Sequence, residues 1–224
     1  MWFGMKRRDY LKKGLYGTLI GAGVLSGTAS ASNPTIYLQE GDTAFLYANN
    51  AYVETDYGGS DYELYTDYSK SDPISIKGYG SSLAPAADGT YFYIKLGITF
   101  VYEDYYGTKD AMATVGVKGN YDSYLSVGEY SENTAHIGFA VTDDTGGDTH
   151  STTILDVEDR DGRFAENFNV GNDILLEHEH QYTAEIALTG ITYDSATVDF
   201  HPNHPISDDD GLYVDKFPIT FHNY

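Results

Sequence analysis

From Thr90 to Tyr102 apolar and polar positions alternate without a break. Phe92, Ile94, Leu96, Ile98, Phe100 and Tyr102 fall on one side, and Tyr91, Tyr93, Lys95, Gly97, Thr99 and Val101 on the other. A strict period of two over this length predicts a long strand with one buried face. The same alternation recurs at Ala135, Ile137, Phe139 and Val141, and again at Tyr182, Ala184, Ile186 and Leu188. Shorter strands are predicted at residues 35–38, 43–48, 62–68, 111–118, 121–127, 152–157, 196–200 and 217–221.

Between these runs lie clusters of Gly, Asp, Asn and Ser at residues 56–60, 118–120, 143–148 and 208–211, which read as turns. Residues 81–87 read as a surface loop. No segment after the first 31 residues keeps a 3.6-residue apolar period for three turns. Many short strands with Gly- and Asp-rich turns predict an all-β fold, an antiparallel β-sandwich of jelly-roll-like or Ig-like type.

The N-terminus departs from this pattern. Lys6-Arg7-Arg8-Asp9-Tyr10-Leu11-Lys12-Lys13 precedes an apolar, Gly-rich run over residues 14–27, and Ala29-Ser30-Ala31 offers small residues for cleavage. In that order the three parts resemble a twin-arginine export signal. The resemblance implies residues 1–31 as a signal peptide and 32–224 as a single domain, destined for the cell surface or the medium. Cleavage after Ala31 removes five of the 13 basic residues and one of the 34 acidic ones, leaving a net charge of −25 on 193 residues.

Such an acidic excess repels nucleic acid and anionic membrane surfaces. Aspartate outnumbers glutamate 23 to 11 and the acids are scattered, a composition that resembles secreted proteins of extremely halophilic archaea. The chain has no cysteine, which excludes disulfides, Cys-ligated zinc, thiol catalysis and a lipoprotein anchor. Beyond the signal no apolar run approaches the roughly 20 residues that span a bilayer.

Two histidine pairs form the sharpest chemical pattern: His178 with His180, and His201 with His204. If the strands after His180 and before His201 form a hairpin turning at residues 190–194, His180 comes beside His201, and His178-x-His180 puts two imidazoles on one face. With Glu177, Glu179 and Asp199 nearby, this predicts a zinc, copper or nickel site; solvated histidines at a sheet rim are the plainer reading.

Acidic loops suggest calcium: Asp143, Asp144 and Asp148 around two glycines, and Asp156, Glu158, Asp159 and Asp161 before Gly162. Val157 stands where an EF-hand register needs aspartate, and salt-adapted loops explain the same residues.

Tyrosine, 22 residues in all, suits strands and sugar-binding surfaces alike. At positions 47, 52, 57 and 62 its spacing of five alternates faces and builds no single platform there. Catalytic motifs are absent: Gly58-Gly59-Ser60-Asp61-Tyr62 lacks the closing glycine of a nucleophile elbow, and no motif selects Glu103, Glu129 or Glu132 as a glycosidase pair.

The leading expectation is an exported β-sandwich that binds or assembles, with itself or other cell-surface components as partners, through strand edges, tyrosines and metal-bridged loops. The alternatives are a metal-dependent or carbohydrate-active hydrolase, and a polysaccharide-binding module marked by a tyrosine-lined groove.

Overall fold

The computed structural model describes residues 35–42, 44, 52–58, 64–69, 74–82, 89–104, 109–129, 131–200 and 211–222. They belong to one compact unit, Asn33–Tyr224. Residues 1–31, the strand expected at 43–48 (apart from Ala44), His201, His204 and Asp208 to Asp210 lie outside the described residues.

Thirteen strands occur among the described residues: β1 (Thr35–Leu38), β2 (Tyr52–Gly58), β3 (Leu64–Ser69), β4 (Ile74–Ser82), β5 (Thr90–Tyr102), β6 (Ala111–Val127), β7 (Glu132–Asp143), β8 (Thr149–Glu158), β9 (Gly162–Leu176), β10 (Gln181–Tyr193), β11 (Ala196–Phe200), β12 (Gly211–Lys216) and β13 (Ile219–Phe221). There is no helix among the described residues. The strands form two sheets. In the first, β5, β10, β7 and β8 lie side by side, with β1 and β2 sharing the outer edge of β5. In the second, β3 and β4 are followed by β11 and β12, then by β6 and β9, and β13 continues along β6.

The connections resolve the choice between sandwich types. From β4 to β11 the chain passes between sheets at every step except β7 to β8, giving orders β4-β11-β6-β9 and β5-β10-β7-β8. Those interleaved orders define a jelly roll. Among the described residues all pairings are antiparallel but one, β1 with β5.

Alternation builds the core as expected. The even-numbered residues of β5 from Phe92 to Phe100 are fully buried, and so are Ala135, Ile137, Ala184, Ile186 and Leu188 on the neighbouring strands. They face Ile76, Val115, Val117, Leu125, Val198 and Leu212 of the second sheet.

Several turn and strand expectations are corrected. Lys118, Gly119 and Asn120 are not a turn but the middle of the 17-residue β6. A Cβ on Gly119 would lie closer than 3.0 Å to the Tyr213 carbonyl, so glycine serves the close approach of β12 rather than a bend. Asp56 to Gly58 belong to β2, and Ser81 and Ser82 to β4. Residues 190–193 continue β10, and β10 does not form a hairpin with β11. After Asp194, which takes φ 52°, the chain crosses to the second sheet, where β11 lies between β4 and β6. The register that set His180 beside His201 therefore does not exist.

Candidate functional site

One end of the sandwich carries the turns β7–β8 and β9–β10, and the sequence dictates how each closes. In the first, Asp143 Oδ1 accepts the backbone N–H of Thr145 at 2.9 Å and of Gly146 at 2.7 Å, an aspartate turn. Gly147, with φ 91°, accepts the left-handed position that follows. Asp143 Oδ1 is thereby occupied, and Oδ2 is left for a partner from the neighbouring turn.

In the second turn Glu179 takes φ 63° and the His180 N–H closes on the Glu177 carbonyl at 3.1 Å. The segment holding His178 and His180 is thus a turn rather than a strand, and its two imidazoles go to different partners. His178 Nδ1 accepts the N–H of Asp104 at 2.9 Å, on the β5 side. His180 Nδ1 donates to Asp143 Oδ2 at 2.9 Å, on the β7 side. Tyr182 is buried beneath this turn: its hydroxyl accepts the Glu177 N–H at 2.6 Å and donates to the Leu175 carbonyl at 3.3 Å. Burial, the largest effect on the Tyr182 phenol, pushes it up to about 12.

The result is a linear array. His180 Nδ1 meets Asp143, and its Nε2 stands 3.4 Å from Glu177 Oε2. The hydrogen bond to Asp143 is the main cause that holds His180 above the ordinary imidazole range. For Asp143 burial pulls upward, but the hydrogen bonds from Gly146, His180 and Thr145 together outweigh it and the carboxyl lies below its ordinary value. A cavity of about 150 Å³ adjoins the array, lined by Asp143, Asp148, His150, Glu177 and Tyr182 with apolar walls behind.

The two acidic runs expected to bind calcium are kept apart. Asp143, Asp144 and Asp148 belong to this end, with Asp144 Oδ2 accepting from Gln181 Nε2 at 3.1 Å and Thr183 Oγ1 at 2.7 Å. Asp156 and Glu158 lie at the far end of β8, roughly 30 Å away along the strand. There Asp156 Oδ1 faces His136 Nδ1 at 3.6 Å, and Asp161 Oδ1 accepts the Val127 N–H at 2.7 Å. Asp159, with φ 50°, forms the bend itself.

A second feature escapes motif reading altogether. A groove of about 540 Å³ runs over β6 and β9, lined by Asn120, Tyr121, Asp122, Ala165, Glu166, Asn167 and Tyr213. Register creates it: Asn120 pairs with Asn167 on one side and Tyr213 on the other, and Asp122 pairs with the small Ala165. Arg163 grips Asp122 through Nε at 2.7 Å and through Nη2. The available signal was the alternation of Asn120, Asp122 and Tyr124 opposite Val117, Tyr121 and Leu125, masked by the reading of residues 118–120 as a turn.

No protein-family model and no curated protein matches the sequence. Solved structures give distant likenesses. TmCBM61 in complex with β-1,4-galactotriose has TM-score 0.32 at 10% identity, over 79% of this chain and 92% of its own. The enzymatically active domain of bacteriophage CBA120 tailspike protein 4 has TM-score 0.33 at 10% identity, over 79% and 20%. The CBM22-1–GH10 modules of Clostridium thermocellum xylanase 10B, complexed with xylohexaose, give 0.23 at 11%, over 80% and 28%. Scores of this size assign the chain to none of these families.

Proposed function

We propose that the protein is an exported, non-catalytic β-sandwich that binds a polysaccharide chain in the groove over β6 and β9. The observation that carries this reading is the groove's lining: the side-chain amides of Asn120 and Asn167, the Asp122 carboxylate and Tyr213 around about 540 Å³. Sugar hydroxyls pair with amides and carboxylates, while the apolar faces of sugar rings suit tyrosine. The residues sit on paired strands rather than on loops, so little ordering is needed on binding. Arg163 fixes that carboxylate and so sets its direction.

Affinity electrophoresis in high salt against acidic and neutral polysaccharides tests this reading. Retardation by at least one polysaccharide is expected, weakened about tenfold or more in Tyr213→Ala and Asn167→Ala. Hydrolysis of the retarding polymer would replace the binding role with an enzymatic one. No retardation by any polymer would remove both. Export by the twin-arginine route belongs to the same proposal: Arg7→Lys with Arg8→Lys should leave the unprocessed chain in the cell, and the exported protein should begin at Ser32.

A second reading, self-assembly at the cell surface, is favoured by β9. This 15-residue strand pairs along one edge with β6. Its other edge meets β8 through side-chain links, Thr152 Oγ1 to Asn172 Oδ1 at 2.8 Å and Asn172 Nδ2 to the His150 carbonyl at 3.3 Å. Such an edge can accept another strand. Sedimentation in high salt separates the readings: polymers that grow with concentration support assembly, and a monomer throughout leaves the groove.

A further inference from the structure

We infer that Asp143, Glu177 and His180 form a binding site for one divalent transition ion of the zinc type. One ligand atom from each lies within 4.8 Å of the other two. His180 Nε2 and Glu177 face the ion as ligands, while Asp143 holds the imidazole through Nδ1. The pair best placed is His180 Nε2 and Glu177 Oε2, 3.4 Å apart. A tetrahedral ion with bonds of about 2.0–2.1 Å separates its ligand atoms by about 3.3 Å, so that pair needs almost no movement.

The donor set selects the class of ion. Calcium takes six to eight oxygens and magnesium a near-octahedral oxygen shell, and neither favours imidazole. An imidazole beside one carboxylate, its ring oriented by a second, suits zinc and its neighbours. The adjoining cavity of about 150 Å³ supplies room for the ion and for water, and His150 and Asp148 on its wall offer further donors. Part of the site is held before any ion arrives. The aspartate turn fixes Asp143, and the buried Tyr182 hydroxyl fixes the backbone at Glu177.

This site joins residues that the sequence placed in two separate clusters, the histidine pair and the first acidic loop. It also has a mechanical consequence. Glu177 directly follows β9 of the second sheet, whereas Asp143 ends β7 and His180 directly precedes β10 in the first. An ion there ties the two sheets together at one end and offsets part of the chain's negative charge.

The test is zinc titration of the mature, untagged protein by calorimetry in high salt, with thermal unfolding measured in parallel. One zinc per chain is expected, with a rise in melting temperature on saturation. His180→Ala and Glu177→Gln should each weaken binding tenfold or more, and Asp143→Asn should do likewise. His178→Ala, whose ring lies on the β5 side, should bind as the parent does. Variants count only if their zinc-free circular dichroism and melting match the parent, and His180→Gln stands in where His180→Ala fails to fold. Absence of stoichiometric zinc overturns the proposal. So does zinc binding that survives both His180→Ala and Glu177→Gln, or one lost equally in His178→Ala. Loss in His180→Ala alone, with Glu177→Gln unaffected, marks a lone surface imidazole and overturns it too. Polysaccharide retardation by the groove should persist after chelation, so failure of one reading leaves the other standing.

Discussion

The ring of Phe92 occupies the space that a side chain at position 190 would need. A Cβ on Gly190 would come closer than 3.0 Å to ring atoms Cε1 and Cζ, and Gly78 in the opposite sheet stands in the same relation to Cε2. The two sheets meet over a fully buried aromatic ring because both glycines give way to it. Gly190→Ala is therefore expected to destabilise the fold by about 1–3 kcal/mol, as overpacking does. Phe92→Leu in the same chain should recover part of that loss. Denaturant unfolding of the two single variants and the double variant checks the coupling, and strict additivity would contradict it.

Asn133 holds the β8–β9 turn from beneath. Its Nδ2 donates to the carbonyls of Ser126 and Arg160, both at 2.9 Å, and its Oδ1 accepts the Arg160 N–H at 3.1 Å. The residue is 1% exposed, so its removal strands buried polar groups. Asn133→Ala is expected to cost about 2–3 kcal/mol by chemical unfolding and to raise amide exchange at residues 159–161 above that of the β7–β8 turn.

Two histidines should pull stability in opposite directions with pH. Burial pushes His136 below the ordinary imidazole value, against the raising pull of Asp156. Its contribution is complete above about pH 6.5 and is lost as pH falls through the lowered folded value. His180 lies above the ordinary value because of Asp143, so its contribution is present below about pH 6.5 and is lost as pH rises through the raised value. Melting temperatures of zinc-free protein from pH 4.5 to 8.5 should show both limbs. His136→Gln should flatten the acid limb and His180→Gln the alkaline one. The partly exposed His180 pair is worth at most about 1 kcal/mol.

Salt should matter more than any single pair. The chain carries a net charge of −21, and repulsion of this kind is screened over about 10 Å at 0.1 M salt but about 3 Å at 1 M. Melting temperature should rise steadily in potassium chloride from 0.1 to 2 M. A flat response would show that the acidic composition carries no salt dependence.

How much of this was legible depends on the face each residue uses. The limits of β5 were read to the residue, because one side of Thr90–Tyr102 is wholly buried and the period has no interruption. The same holds for β11. By contrast β9 was missed, since from Gly162 to Leu176 only Phe168, Ile174 and Leu176 are buried and no apolar face announces a strand. Gly78 and Gly80 hid β4, because glycines that admit the Phe92 ring look like turn residues in isolation.

At the site, the tendency of Asp143-Asp144-Thr145-Gly146-Gly147 to turn was visible and correct. Its meeting with His180 was not, because that contact depends on Asp143 pairing with Tyr182 across two strands 39 residues apart in sequence. The hairpin that sequence proximity suggested for β10 and β11 failed for the same reason. Local pattern says that a strand exists, and only topology says which sheet receives it.

The position of β11 and β12 between β4 and β6, with β13 following along β6, also sets a timetable. Along its inner edge β6 meets these three short strands end to end, and β4 meets two of them. As the chain emerges from the ribosome, β4 and β6 must wait for residues 196–221 before the strip between them can be filled. Until then both carry open backbone hydrogen-bonding groups beside a half-covered core. The second sheet thus closes only once synthesis has passed those residues, and any factor that shields the nascent chain has to do so across its whole length.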